Sequence, residues 1–333
     1  MTDVPVPEVI AFEDSYDNEI GFEWILMELM PGVSAYKQWR TLTTFSKVAI
    51  VQRVAELQAK IFRYSFSGIG TLTLGENEPH RMARPGNFVS GFFFWGNHFD
   101  YDIARGPFRS SYDWLTSYLE IIIKDKKKAK EEAEDEEDEE DAMFALTLAQ
   151  RLVNLLPKVF PSLQNPPERS VILHDDLSLS NILVNKAGDI TAIIDWECVS
   201  TMPLWMATKM PKFLEGPIRE EEPKRQDYAD ESNKGSDVVE GNEDDELDNE
   251  GQDELYWIHL MEYEKTQLRR VYTERMRQLR EGWDAEVEDN ALKEDFVGAV
   301  GRCSQGFYLT KIARWISAVE AGEFPRLIDV LEP

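Results

Sequence analysis

His174-Asp175-Asp176-Leu177-Ser178-Leu179-Ser180-Asn181, followed by Ile193-Ile194-Asp195-Trp196-Glu197, is the stretch on which the reading of this chain turns. Between the two segments, Ile182–Val184 and Ile190–Ile194 are apolar runs rich in β-branched residues. They flank Asn185-Lys186-Ala187-Gly188-Asp189, the pattern of a tight hairpin. Asn181 and Asp195 are equally far from Gly188, so the spacing predicts that they face each other at the open end of the hairpin. Directly opposed residues have Cβ atoms about 4.5–5.5 Å apart. Two oxygen ligands at that separation can share one small divalent cation, whose bonds are about 2.0–2.1 Å long. Asp176 falls on the loop that enters the same end.

These residue types suit phosphoryl transfer. That chemistry needs positioning, a cation against the phosphate charge, and a carboxylate to take the hydroxyl proton. Asn181 and Asp195 offer hard oxygens to Mg²⁺, and Asp176 offers the carboxylate. His174 is expected to brace the loop by hydrogen bonds rather than to react. A metal phosphohydrolase built on His174 and Asp175 would need further histidines, and His80, His98 and His259 are widely scattered. The chain has no phosphate loop of the G-x-x-x-x-G-K type and no nucleophile-elbow serine. Gly68-Ile69-Gly70 lacks the third glycine of a dinucleotide loop and reads as a turn.

The chain has 333 residues, 42% of them hydrophobic, with nine Trp and seventeen Phe. That composition is ample for a packed core. The net charge of −27 is concentrated in two places. Residues 131–141 contribute −10 and residues 220–254 contribute −13, so the rest is nearly balanced. Such acidic inserts disfavour a nucleic-acid partner and read as solvated charge. No run of eighteen apolar residues exists, so no membrane span is expected. Residues 1–8 have neither a basic residue nor an apolar core, unlike a secretory or transit leader. Cys198 and Cys303 are too few for a disulfide scaffold and fit a reducing cytoplasm. Cys198 reads as a small buried apolar residue. Nothing in the chain fixes an oligomeric state.

Val9 to Phe12 and Glu23 to Glu28 read as short strands around a polar turn at Asp14 to Asn18. Thr44 is expected to cap a helix running to about Phe62. Residues 65–111, rich in Gly, Phe and Pro, read as irregular, with Phe92-Phe93-Phe94-Trp95 as core or as a wall of an acceptor cleft. Tyr112 to Ile123 reads as a helix that extends through the lysines of 124–130. Like charges at i,i+4 each cost a helix about 0.2–0.5 kcal/mol, so Glu131 to Asp141 is expected to be a solvated loop or frayed helix end. A helix should resume from about Ala142 to Leu156, and a strand from Val171 to Leu173. Residues 217–253 are expected to be disordered. Leu255 to Arg280 is amphipathic, and Tyr308, Ile312, Trp315 and Val319 mark a last helix.

At His174, Asp176, Asn181 and Asp195 the chain resembles a known family. The pattern H-x-D-x-x-x-x-N, a short hairpin and then I-D-W-E is similar to the aminoglycoside phosphotransferase family. Its fold is protein-kinase-like and α+β, with a small β lobe and a mostly helical large lobe. Asp175 stands where the family commonly has Gly, and Ser178-Leu179-Ser180 where it has a His-Pro-Gly run. Val4-Pro5-Val6-Pro7-Glu8-Val9, Gly21 to Glu28 and Pro31-Gly32 resemble the family's strand and hinge region. Phe66 to Gly70, Arg105 to Phe108, Leu204-Trp205 and Phe213 to Gly216 are similar to fungal members. The resemblance implies ATP and Mg²⁺ as cofactors and a small-molecule hydroxyl as acceptor, with aminoglycosides, choline-like alcohols and sugars all suitable. It implies Asp176 as the base and Asn181 and Asp195 as metal ligands. Met27 would border the adenine pocket, and the backbones of Glu28 and Met30 would hydrogen-bond adenine. Trp257 and Tyr263 are expected in the acceptor cleft.

On this reading residues 1–32 form what remains of the small lobe, two strands and a hinge. Residues 33–333 form the large lobe, with acidic inserts at 124–141 and 217–253. The family's Gly-rich loop, its phosphate-binding Lys and the paired helical Glu precede the Val-Pro-Val-Pro segment, where this chain begins. Its first lysine is Lys37, past the hinge. Losing one preorganised charge-stabilising donor costs about 10²–10³ in rate. Two expectations follow: a phosphotransferase read from a shortened sequence, or a catalytically impaired relative that acts as a binding protein.

Overall fold

The computed structural model describes residues 3–74, 83–161, 166–197, 199–228 and 254–331. His80, Cys198 and residues 229–253 of the second acidic insert lie outside them, and the expectations for those positions with them. The chain opens with an antiparallel ribbon of β1 (Val9–Glu13) and β2 (Trp24–Met27). Asn18 closes the turn between them, its Oδ1 accepting from the N–H groups of Ile20 and Gly21. The ribbon leaves Phe12, Ile25 and Leu26 exposed, and two strands alone are marginal in water. The short β3 (Val33–Ser34) leads into α1 (Ala35–Gln38) and then α2 (Thr44–Ile61). Thr43, not the expected Thr44, caps α2, because Thr43 Oγ1 accepts from the Ser46 N–H at 3.1 Å.

The segment expected to be irregular contains β4 (Ser65–Ser67), β5 (Gly70–Leu74), β6 (Ala83–Pro85) and α3 (Gly91–Phe94). Elements this short show no hydrophobic period. α4 (Ser111–Glu131) runs through the lysine block as expected. The acidic run is solvent-exposed and holds a helix end and a non-helical break at 132–135, but α5 (Glu136–Val159) begins inside it, well before the expected Ala142. Asp135 caps this helix by accepting from the Asp138 N–H at 2.9 Å. Glu136, Glu137, Asp138 and Glu139 occupy its first turn. There the helix dipole and the free N–H groups favour negative charge, which offsets the repulsion counted from sequence. Lys130 also approaches Glu139 at 3.6 Å.

β7 (Arg169–Leu173), β8 (Ile182–Val184) and β9 (Ile190–Ile193) lie where expected. β10 (Ser200–Pro203) and α6 (Leu204–Ala207) follow with no sequence signal of their own. α7 (Glu254–Leu279) is the expected amphipathic helix. α8 (Trp283–Gln305), α9 (Leu309–Glu320) and α10 (Leu327–Leu331) complete the chain. The acid-rich first half of α8 masks a buried stripe of Phe296, Ala299, Val300 and Cys303 in its second half. Residues 217–228, expected to be disordered, lie along α7. The Arg219 N–H donates to Thr266 Oγ1 at 3.0 Å, and Arg219 Nε donates to Glu262 at 3.0 Å.

Contact density divides the chain into two units. The first comprises 1–60, 175–195 and 210–281. It holds the β1–β2 ribbon, the three-stranded sheet β3-β8-β9, α1, α2 and α7. The N-terminal segment is fixed to the hairpin where the Ile193 N–H donates to Pro5 O at 2.8 Å. Gly32 has φ 111°, and a Cβ there would come within 2.6 Å of Thr191 Oγ1, so only glycine lets the hinge exit lie this close to the hairpin. α2 and α7 are joined by Tyr272, whose buried hydroxyl donates to Gln58 Oε1 at 3.0 Å. A Lys47–Glu264 ion pair at 2.6 Å also joins them, with the lysine side chain only 8% exposed.

The second unit comprises 61–174, 196–209 and 282–333. Its sheet runs β4-β7-β10-β5-β6 and is antiparallel throughout. Its core includes Phe93, Leu119, Leu152, Phe160, Phe296 and Trp315. The aromatic run therefore serves packing. Phe93 is buried and Phe92 stacks on Tyr118 at 3.8 Å, while Trp95 faces solvent. Among the described residues no helix is long and apolar enough to cross a membrane.

Candidate functional site

The hairpin that carries the site is out of step with the sequence arithmetic. β8 and β9 pair Ile182 with Ile193 and Leu183 with Ala192, and the register then shifts before Val184–Ile190. Continuing outward, Asn181 opposes Ile194, whose N–H donates to Asn181 O at 3.0 Å. Asp195 is one residue further on. In a straight strand its side chain would point to the opposite face. Instead Asp195 adopts φ 65°, a left-handed conformation that Asp tolerates better than most residues. The turn there breaks the alternation, and Asp195 Oδ2 lies 3.2 Å from Asn181 Nδ2. The two side chains meet, but through a backbone twist rather than by direct opposition.

Asp176 arrives from the other side. The loop from Asp175 tightens at once, the Ser178 N–H donating to Asp176 O at 2.8 Å, and a 3-10 turn at Leu179–Asn181 follows. Leu177 and Leu179 are buried and anchor the loop. Asn181, only 8% exposed, donates from Nδ2 to Asp176 O at 2.9 Å, with Asp176 Oδ2 at 3.3 Å. One carboxamide nitrogen thus lies against both carboxylates, while Asp195 itself is exposed. His174 belongs to the second unit, where its ring packs edge-on against Trp196 at 4.9 Å.

A further residue stands here that no spacing in the sequence marks. Lys212 Nζ donates to Asp176 Oδ1 at 2.6 Å. This bond to the carboxylate raises the Lys212 pKa above that of an ordinary lysine, against the smaller opposing effect of desolvation. The partners are 36 residues apart, so only tertiary folding brings them together.

The donor set fits a hard divalent cation. Asp195 offers carboxylate oxygens, and a half-turn of the Asn181 amide would present Oδ1 in place of Nδ2. No group of three or more His, Cys, Asp or Glu among the described residues is arranged to hold a metal. A Mg²⁺ at Asn181 and Asp195 would therefore rely on phosphate oxygens or water for the rest of its shell, as Mg²⁺ commonly does.

In the hinge, the Glu28 N–H donates to Glu8 O at 2.8 Å. Any further backbone bond made by Glu28 is one in which its carbonyl accepts. Met27 is 43% exposed and Met30 is half-buried. All three lie in the same unit as Asp176, Asn181 and Asp195. Tyr263 lines a cavity of about 280 Å³ between α2 and α7, and Trp257 lines an adjoining one of about 40 Å³. The larger cavity includes Thr44, Lys47 and Val48. The hairpin tip abuts the same stretch, since a Cβ at Gly188 would be 3.0 Å from Ser46. Asp176, Asn181 and Asp195 line neither cavity. Of the remaining histidines, His98 pairs with Asp125 at 2.9 Å and His259 with the Tyr228 hydroxyl at 2.7 Å.

A family model described as the phosphotransferase enzyme family matches residues 1–206. A subtelomeric hrmA-associated cluster protein of Aspergillus fumigatus strain Af293 is 29% identical over 251 residues, covering 63% of this chain and 49% of the relative. Its counterpart in strain CEA10 is similar to the same extent. A clavilactone A biosynthesis cluster protein of Ampulloclitocybe clavipes is 36% identical over 104 residues, 31% of this chain and 25% of that protein. The chain spans about half the length of the Aspergillus relatives it matches.

Proposed function

The chain belongs to the phosphotransferase enzyme family, with that family's kinase-like α+β fold, and on that premise we propose that it moves the γ-phosphoryl group of ATP to a hydroxyl of a small molecule. The observation that carries this reading is the convergence of Asp176, Asn181 and Asp195, with Asn181 Nδ2 within 3.3 Å of both carboxylates. Asp176 accepts the hydroxyl proton and orients the acceptor oxygen. Asn181 and Asp195 hold Mg²⁺, and Met27, Glu28 and Met30 border adenine. When bound, Mg²⁺ neutralises phosphate charge and lowers the cost of its redistribution. Residues 1–32 then serve as the small-lobe portion and 33–333 as the large lobe. A relative named for a biosynthesis cluster favours a small organic acceptor.

The test is turnover. The purified chain, given Mg-ATP and a panel of amino sugars, sugars and amino alcohols, should release ADP in an acceptor-dependent way. Asp176→Asn should lower kcat by about 10²–10⁴, the usual contribution of a positioned base. No ADP release with any acceptor, together with no nucleotide binding, would favour the non-catalytic reading instead.

A further inference from the structure

The segment that carries Lys212 is held more firmly than a surface ion pair requires. The Phe213 N–H donates to Leu177 O at 3.0 Å, one residue from Asp176, and Phe213 and Leu214 are buried. From α7, Arg269 Nε donates to Leu214 O at 2.6 Å, and Arg269 Nη2 donates to Gly216 O at 2.7 Å and Pro217 O at 3.1 Å. Lys265 Nζ donates to Glu215 O at 3.3 Å. Burial pushes the pKa of both Arg269 and Lys265 down, so these two cations clamp the segment where desolvation works against them. The backbone that follows Lys212 is fixed, yet its side chain remains 55% exposed. An exposed pair of this kind contributes little to stability, so stability does not account for the Lys212–Asp176 pair. An ammonium has three donors, and Asp176 Oδ1 accepts from one of them.

Building on the phosphoryl-transfer reading above, we propose that Lys212 contacts the phosphoryl group in transit, holding Asp176 Oδ1 with one N–H and donating another to a non-bridging phosphoryl oxygen. The bond from the acceptor oxygen to γ-phosphorus forms as the bond from γ-phosphorus to the β,γ-bridging oxygen breaks. ADP departs with that electron pair, the hydroxyl proton passes to Asp176 and then to solvent, and Lys212 stays protonated. A cation placed there stabilises charge where it develops.

Calorimetry on the full chain tests this, with Mg-ADP alone and Mg-ADP plus aluminium fluoride, which mimics the group in transit. Lys212→Met should weaken binding of the fluoride complex at least about tenfold, leave Mg-ADP affinity within about twofold, and leave the melting temperature unchanged. Lys212→Arg should restore most of the loss. Equal affinity of Lys212→Met and the parent for the fluoride complex, or an equal loss for both ligands, would overturn the assignment of Lys212 alone. A parent chain that binds no Mg-ADP would overturn the phosphoryl-transfer reading and this proposal together.

Discussion

At the scale of single residues, the site depends on the backbone of Asp195. Its φ of 65° turns a carboxylate that strand alternation would aim elsewhere. Asn accepts the left-handed region nearly as well as Asp, whereas a β-branched residue does not. Asp195→Asn is therefore expected to keep the melting temperature and lose Mg²⁺-dependent nucleotide binding. Asp195→Val should also destabilise the fold by about 1–3 kcal/mol, the usual cost of such strain, as read from urea denaturation. Equal stability of the two variants would mean that the twist carries no strain. The sequence named Asp176, Asn181 and Asp195, because residue type and hairpin spacing are local signals. It misjudged how Asn181 and Asp195 meet, because a left-handed residue and a register shift leave no mark in spacing. Lys212 left no mark either, being brought to Asp176 only by the fold.

At the scale of elements, α2 and α7 meet around charge. The Lys47 ammonium donates to Glu264, the Trp39 indole donates to the same carboxylate at 3.0 Å, and Lys47 lies 5.2 Å from the Trp39 ring. Removing one member of a buried pair strands the other, at a cost of about 3–5 kcal/mol, whereas replacing both by apolar groups is often neutral. Lys47→Met is expected to lower unfolding stability by about 3 kcal/mol, and adding Glu264→Gln, which removes the stranded charge and keeps an acceptor for the Trp39 indole, to recover most of it. A single variant as stable as the parent would show that the pair is not a structural joint. The 3.6-residue period made α2 and α7 legible, but not this joint. Helix starts were less legible, since α5 begins among acids that repel one another in a chain and suit a helix N-terminus once it forms. The five-stranded sheet was the largest omission apart from β7, because the other strands, of three to five residues set among Gly and Pro, carry no period of their own.

At the scale of the whole molecule, acidity belongs mainly to two segments, and pH acts through particular pairs. In the second unit Arg151 donates to Glu320 at 2.6 Å and holds its pKa below the ordinary carboxylate value. A depressed acid contributes stability above its unfolded pKa and loses it as pH falls through the folded one. Glu320→Gln should thus be less stable than the parent at pH 7, by at most about 1 kcal/mol for so exposed a pair. The difference should vanish as pH falls through the depressed folded pKa; a difference independent of pH would exclude the ion pair as its source. Glu294 has the opposite sign, since burial raises its pKa and its contribution fades as pH rises. The central claim is that Asp176, Asn181 and Asp195 form a metal-nucleotide site, and the most direct measurement is the thermal shift caused by ATP with and without Mg²⁺. At 100 times Kd, ATP with Mg²⁺ should add about 2.7 kcal/mol to the native state, with much of that lost without the metal or in Asp195→Ala. A shift indifferent to both Mg²⁺ and Asp195, or no shift at all, would contradict it.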